Sequence, residues 1–330
     1  MRDLPLASLS LDADDLWAYL RTHGDAAWEQ HPSYLPRFYE LAFELFESLQ
    51  LRITFFIVGF DATREANRPA LASLAARGHE VGNHSFWHEY TLYREPVQRI
   101  DEDIARAEAA IVAATGQRPI GYRGPGFSWS SNVLEVLARR GYSYDASTLP
   151  TYLAPLARWY FLATATLTPE ERERRRGLFG SFTDGLRSVR PYRWNVGDGR
   201  SLLEIPVTTM PLVKLPFHLS YLLFLARRST KAMLAYLHTA IATCRWGKVQ
   251  PSFLMHPLDL LGGDEVRGLE FFPGMDLPTR RKLELTRTVL GVLAEHFTLV
   301  PMGEHASQIV RDERLPSHTA IASPVLAGPS

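Results

Sequence analysis

Two histidines, His84 and His88, stand four residues apart in the run His-Glu-Val-Gly-Asn-His-Ser-Phe-Trp-His at 79–88. On a helical turn, side chains four apart face the same way, so two imidazoles could share one cation. Alone, such a pair is as readily a chance surface pattern. Imidazole nitrogen is the commonest protein ligand for zinc and also suits iron, nickel and cobalt. Upstream, the apolar run 6–11 ends in Asp12-Ala13-Asp14-Asp15. Alternation along a strand brings Asp12 and Asp14 out on one side. Carboxylates crowded there need a cation or a shared proton, unless the cluster only caps a loop or helix. Three more polar residues follow short apolar runs: Arg123 before Gly-Pro-Gly, Asp145, and His256 before Pro-Leu-Asp.

The elements that must carry these residues are legible as patterns. Strand-like runs cover 6–11, 51–58, the stretch leading into His84, 120–123, 142–145, 202–207, 252–255 and 298–300. Helical patterns cover 34–49, 65–77, 95–115, a segment from Ser130 or Ser131 to Gly141, 217–243 and 278–295. Such alternation predicts a parallel α/β sheet. In a closed β/α barrel, the strand C-termini where Asp12, Asp14, His84, His88, Arg123 and Asp145 fall form the face that builds active sites. The alternation breaks at about 149–200, which reads as an insertion beside the site. It holds Tyr152, Trp159, Tyr160 and Phe161, and a charge run at 170–176 expected to be a solvated helix face. Residues 1–305 are expected to form one domain, with 306–330 as a C-terminal tail.

Lys+Arg and Asp+Glu are equal at 36 each, so nothing suggests a nucleic-acid footprint. The single cysteine, Cys244, excludes an intramolecular disulfide and fits a reducing cytosol. The N-terminal residues lack the pattern of a signal peptide, and no run approaches the roughly 20 apolar residues of a membrane span. The expected location is the cytoplasm.

In order, the pieces are Asp12-x-Asp14, His84-Ser-Phe-Trp-His88, Arg123-Gly-Pro-Gly126, Asp145 and Leu254-Met-His256. This series resembles the five ordered motifs of the polysaccharide deacetylases, the NodB-homology or carbohydrate esterase family 4 group. The resemblance spans roughly residues 6–150 and 200–302. It implies a distorted (β/α)7 barrel, with the insertion after its fifth strand, and metal-dependent hydrolysis of an N-acyl group, usually on an amino sugar. It further implies that Asp14, His84 and His88 hold a divalent metal, zinc first and cobalt, nickel or iron as alternatives. Asp12 would be the general base, steadied by Arg123. His256 would be the general acid, and Asp145 would tune His256 or Arg123. Gly126 would supply an oxyanion donor, with Phe127, Trp87 and Leu254 about the substrate. Trp87 would either line the site or pack beneath it, and His79 would be structural. The chemistry of the residues agrees: two imidazoles and a carboxylate leave metal positions open for water and a carbonyl oxygen.

Departures from the family pattern leave questions open. The usual adjacent Asp pair is here Asp-x-Asp-Asp, so Asp15 is an alternative to Asp14. That spacing resembles a divergent branch holding lipid-linked aminoarabinose deformylases and peptidoglycan-deacetylase-like enzymes. Glycine replaces the aromatic after Pro125, and Pro150 stands where many members carry tryptophan, which leaves the acyl group, acetyl or formyl, undecided. A cytoplasmic location favours a precursor glycan, a soluble amino sugar or a lipid-linked sugar at the inner membrane face. The apolar run with a basic edge at 216–231 reads either as an interfacial helix or as a buried barrel helix. Rival functions are a non-sugar amide hydrolase on the same barrel, with or without metal, and a non-catalytic carbohydrate-binding relative. Oligomeric state is not legible.

Overall fold

The computed structural model describes residues 4–175, 178–311 and 315–320. Its strands are β1 (Leu6–Asp12), β2 (Thr54–Ile57), β3 (Glu80–Asn83), β4 (Gly121–Tyr122), β5 (Tyr144–Asp145), β6 (Tyr192–Asn195), β7 (Ser201–Glu204), β8 (Ser252–Met255), β9 (Thr298–Val300) and β10 (Ser317–Thr319). One sheet joins them in the order β10-β6-β7-β5-β4-β3-β2-β1-β8, with β9 also on β1. From β7 through β5, β4, β3, β2 and β1 to β8, every pairing is parallel. These seven strands with their helices make the expected distorted (β/α)7 barrel. Its seam is not a ladder: Thr208 N–H donates to the Ser252 carbonyl at 3.0 Å, and Ser252 N–H donates to Thr208 Oγ1 at 2.7 Å.

β1 is buried on both faces, as a central parallel strand must be. Ala7, Leu9 and Leu11 join the main apolar core, while Ser8, Ser10 and Asp12 share the other face. The helix Leu35–Ser48 buries Phe38, Ala42, Leu45 and Phe46, which belong to the same core as Phe55 of β2.

Several expectations change here. The helical stretch at 217–243 is two helices, Leu219–Ala226 and Thr230–Trp246, because Ser229 leaves helical geometry and caps the second by accepting from Ala232 N–H at 3.2 Å. Leu219, Leu222 and Leu223 point into the core, as the buried-barrel-helix reading expects, and Arg227 pairs with Asp276 at 2.6 Å. Among the described residues no helix is long and apolar enough to cross a membrane. In the insertion, the helix Pro169–Arg174 is largely solvated, yet Arg175 is buried and donates to the carbonyls of Thr22 and Arg21. The solvated-face expectation fails there because those helix-end carbonyls take up its guanidinium; Arg176 lies outside the described residues. The expected tail also starts too early, since 306–309 complete the helix Met302–Ile309 and β10 pairs with β6. Residues 321–330 lie outside the described residues. The sequence patterns missed β6 and β10, short strands without a long apolar run, and the helix Leu16–His23.

Candidate active site

The adjacent carboxylates Asp14 and Asp15 part company at the end of β1. Asp15 caps the helix Leu16–His23: its Oδ1 accepts from Leu16 N–H at 2.8 Å and Tyr34 N–H at 3.1 Å. Asp14 instead faces the histidines, its Oδ1 lying 3.2 Å from His84 Nε2 and 3.1 Å from His88 Nε2. The strand ends at Asp12, so alternation does not extend to Asp14; its backbone is held by Tyr34, whose hydroxyl donates to the Asp14 carbonyl at 2.6 Å.

The histidines do not share a helical turn either. Residues 84–88 form a loop with left-handed φ at Ser85 (63°) and His88 (50°). The loop is pinned from outside: Ser85 N–H donates to Asn83 Oδ1 at 2.9 Å and Phe86 N–H to Asp103 Oδ1 at 2.8 Å. Arg21 donates to the carbonyls of both Trp87 and His88. Trp87 packs beneath the loop, stacked on Phe60 at 4.8 Å and edge-on to Trp17. His79 is structural, accepting from Ile53 N–H at 3.2 Å.

The donor atoms of Asp14, His84 and His88 all lie within 4.8 Å of one another, and all three residues are buried. His84 Nδ1 sits 2.6 Å from the Arg123 carbonyl, so it carries the proton and Nε2 offers a lone pair toward Asp14. Asp14 Oδ1, despite two nitrogens nearby, has no hydrogen-bond partner of good geometry among the described residues. Burial pushes the Asp14 carboxyl up, but the two imidazoles beside it, His88 first, outweigh that and hold it well below the usual range. Burial pulls His84 down, while Asp12 and Asp14 lift it above its ordinary value; at His88 burial prevails and the value falls. Lone pairs so arranged need a positive centre between them. The residues fit a divalent cation.

Asp12 is 3% exposed and paired with Arg123 Nη1 at 2.6 Å. Arg123 is itself fixed: Nη1 also donates to Ser10 Oγ at 2.9 Å, Nε to the Ala146 carbonyl at 3.0 Å, and its charge lies 4.3 Å from the centre of the Phe56 ring. His256 Nδ1 lies 3.2 Å from Ser220 Oγ and 3.8 Å from Asp259 Oδ2. Burial pulls His256 down, but Asp259, and then Asp12 and Asp14, keep it above its ordinary value.

Of the two roles expected for Asp145, tuning His256 or Arg123, it stands on the Arg123 side and not beside His256. Asp259 holds the imidazole, while Asp145 Oδ1 accepts from Ser147 Oγ at 2.5 Å, and Ser147 Oγ accepts from Gly124 N–H at 2.8 Å. Asp145 thus anchors the loop after Arg123. A Cβ on Gly124 would meet the Ser128 carbonyl oxygen at 2.0 Å, which explains the glycine there. Gly126 (φ 63°) and Phe127 (φ 59°) follow in left-handed geometry, both half-buried at the site. Leu254 is fully buried in β8 beside Ser10 and presents no surface to a substrate. Sequence reasoning missed Asp259, Ser10, Ser147 and Ser220. Two had signals: Ser10 shares the strand face of Asp12, and Asp259 follows His256 by three residues and accepts its backbone N–H at 2.8 Å.

Comparison with known proteins agrees with the fold. Residues 25–144 match the polysaccharide deacetylase family model. It is 28% identical over 113 residues to a peptidoglycan deacetylase of Helicobacter pylori, covering 34% of this chain and 37% of that protein. It is 35% identical over 89 residues to a chitooligosaccharide deacetylase of Bradyrhizobium, covering 27% of this chain and 39% of that protein. The matches thus span less than two fifths of either relative. A Mycobacterium smegmatis structure assigned to the polysaccharide deacetylases superposes over 98% of this chain and 96% of its own, with TM-score 0.62 and 18% identity. That likeness shows a shared fold.

Proposed function

We propose that this chain is a metal-dependent hydrolase that removes the acetyl group from an N-acetylated amino sugar. The carrying observation is the set of three buried donors within 4.8 Å of one another, together with Asp12 at the end of β1, which Arg123 holds at 2.6 Å. When bound by Asp14, His84 and His88, a divalent cation, zinc by preference, acidifies water and polarises the acyl carbonyl. Asp12 takes the proton of the attacking water, its carboxylate aligned by the Arg123 fork. The Gly126 backbone N–H is the donor assigned to the developing oxyanion. His256, its pKa raised by the neighbouring Asp259, gives a proton to the amine nitrogen as the C–N bond breaks. Sugar is the favoured class because the relatives are named for peptidoglycan and chitooligosaccharide.

The test is mass spectrometry of chitooligosaccharide and peptidoglycan fragments incubated with metal-loaded enzyme or with Asp12→Asn. Loss of acetyl only with the wild type, both proteins holding equal metal, is the expected result. Equal loss in the Asp12→Asn variant would remove Asp12 from its role.

A further inference from the structure

Two polar side chains linked to His256 through ring contacts have no assigned task. Tyr19 lies on the helix Leu16–His23, and its buried hydroxyl has no hydrogen-bond partner among the described residues. Its ring stands edge-on to Phe272 at 5.5 Å, and Phe272 stands edge-on to His256 at 6.3 Å. One phenyl ring therefore bridges the tyrosine and the imidazole. Burial first, and then Asp14, Tyr34, Asp259 and Asp12, push the phenol well above its ordinary value, so it stays a donor. That set of neighbours spans the metal-ligand side and the His256 side of the site.

His218 precedes the helix Leu219–Ala226, with its ring 6.3 Å from that of His256. Its Nδ1 is buried and likewise without a partner among the described residues. Burial and the charge of His256 lower it to about 4, so the ring is neutral and one nitrogen is free to accept. Ring contacts run from Tyr19 through Phe272 to His256 and on to His218, so the two flank one imidazole although they come from distant elements.

Neither residue is needed by the groups already described. Asp12 has Arg123, His256 has Asp259 and Ser220, and His84 has the Arg123 carbonyl. Buried polar atoms lacking partners are few in native proteins, and in a cleft they mark where a ligand supplies the missing bond. An N-acylated 2-amino sugar carries an oxygen on each ring carbon flanking the carbon that bears the amide. A phenol that donates and a neutral imidazole that accepts or donates match two such oxygens. We propose that Tyr19 and His218 bind the two sugar oxygens flanking the scissile amide and thereby select an amino sugar over a simple amide. This assignment rests on the deacetylase reading above. Sites built to pair with substrate hydroxyls discriminate strongly, because an analogue without them leaves the protein groups unpaired.

The test uses metal-loaded wild type, Tyr19→Phe and His218→Phe with N-acetylated chitotriose. Both substitutions keep a ring and remove only the polar atoms. The expected result is a rise in KM of about tenfold for each, with a smaller fall in kcat, the pattern of lost substrate binding. Calorimetric titration of the same sugar into Asp12→Asn, with and without Tyr19→Phe, should show a matching loss of affinity. KM and Kd within twofold of the unsubstituted proteins would overturn the assignment. So would a rise in KM that tracks lost metal, because Tyr19 would then only support Asp14. A wild type with full metal that neither binds nor deacetylates chitotriose would instead defeat the deacetylase reading itself.

Discussion

Two groups of buried carboxylates lie in this barrel and reach opposite charge states. At the ends of β1 and β3, Asp12 and Asp14 face a guanidinium and two imidazoles, and Asp14 is held well below the usual carboxylate range. At the ends of β5 and β7, Asp145 and Glu204 face each other. There burial, and then Asp145, push Glu204 well above its ordinary value, while burial raises Asp145 to about 6. Glu204 takes hydrogen bonds from Thr148 Oγ1 at 2.6 Å and Trp194 Nε1 at 2.9 Å. Burial alone therefore does not mark a site. An anion kept charged amid imidazoles is prepared for a cation, whereas a carboxyl neutralised by its neighbour is a structural pin.

The largest expected effect separates these two groups. His84→Ala should lower turnover about 10^3-fold or more and remove bound metal, measured by acetate release and elemental analysis. Next, Asp259→Asn should reduce kcat about tenfold to a hundredfold. Because Asp259 raises His256, its loss should move the alkaline limb of the kcat/KM profile to lower pH, with metal content unchanged. In the structural group, Glu204→Ala leaves Thr148 and Trp194 unpaired and should destabilise by about 3 kcal/mol in urea melts. Glu204→Gln, which mimics the neutral acid, should stay within about 1 kcal/mol of wild type. A metal loss in either Glu204 variant would dissolve the distinction.

A buried histidine far from both groups gives the smallest effect. His305 lies between Ser8 Oγ at 3.0 Å and Gln250 Oε1 at 2.9 Å, and burial lowers it to about 4. Its folded value lies below the unfolded one of about 6.5, so its neutral form is fully tolerated above pH 6.5 and stability is lost as pH falls toward 4. At pH 5 this penalty is about 2 kcal/mol, and His305→Gln should lose less stability than wild type between pH 7 and 5.

Much of this was legible in the sequence, for reasons that differ by residue. Strands of the barrel announced themselves as apolar runs, and the ordered polar residues marked their C-terminal ends. Asp14 was singled out over Asp15 by an alternation that the chain does not follow, since β1 stops at Asp12 and Asp15 turns to cap a helix. His84 and His88 converge through a loop with two left-handed residues, which spacing alone cannot foretell. Asp259 was overlooked because an aspartate after His-Pro-Leu reads as a cap, which it also is. Glu204 and Ser147 act through contacts between separate strands, and a single sequence does not display those pairings.

The position of β1 has a consequence for synthesis. This strand is made before its flanking partners β8 and β9, and the bond from Ser10 to Phe253 joins residues 243 apart. A growing chain must therefore keep the apolar edge of β1 uncovered until nearly the whole barrel has left the ribosome. Fragments that stop before β8 should gather into inclusion bodies, and the yield of intact protein should rise when translation is slowed or a holding chaperone is supplied.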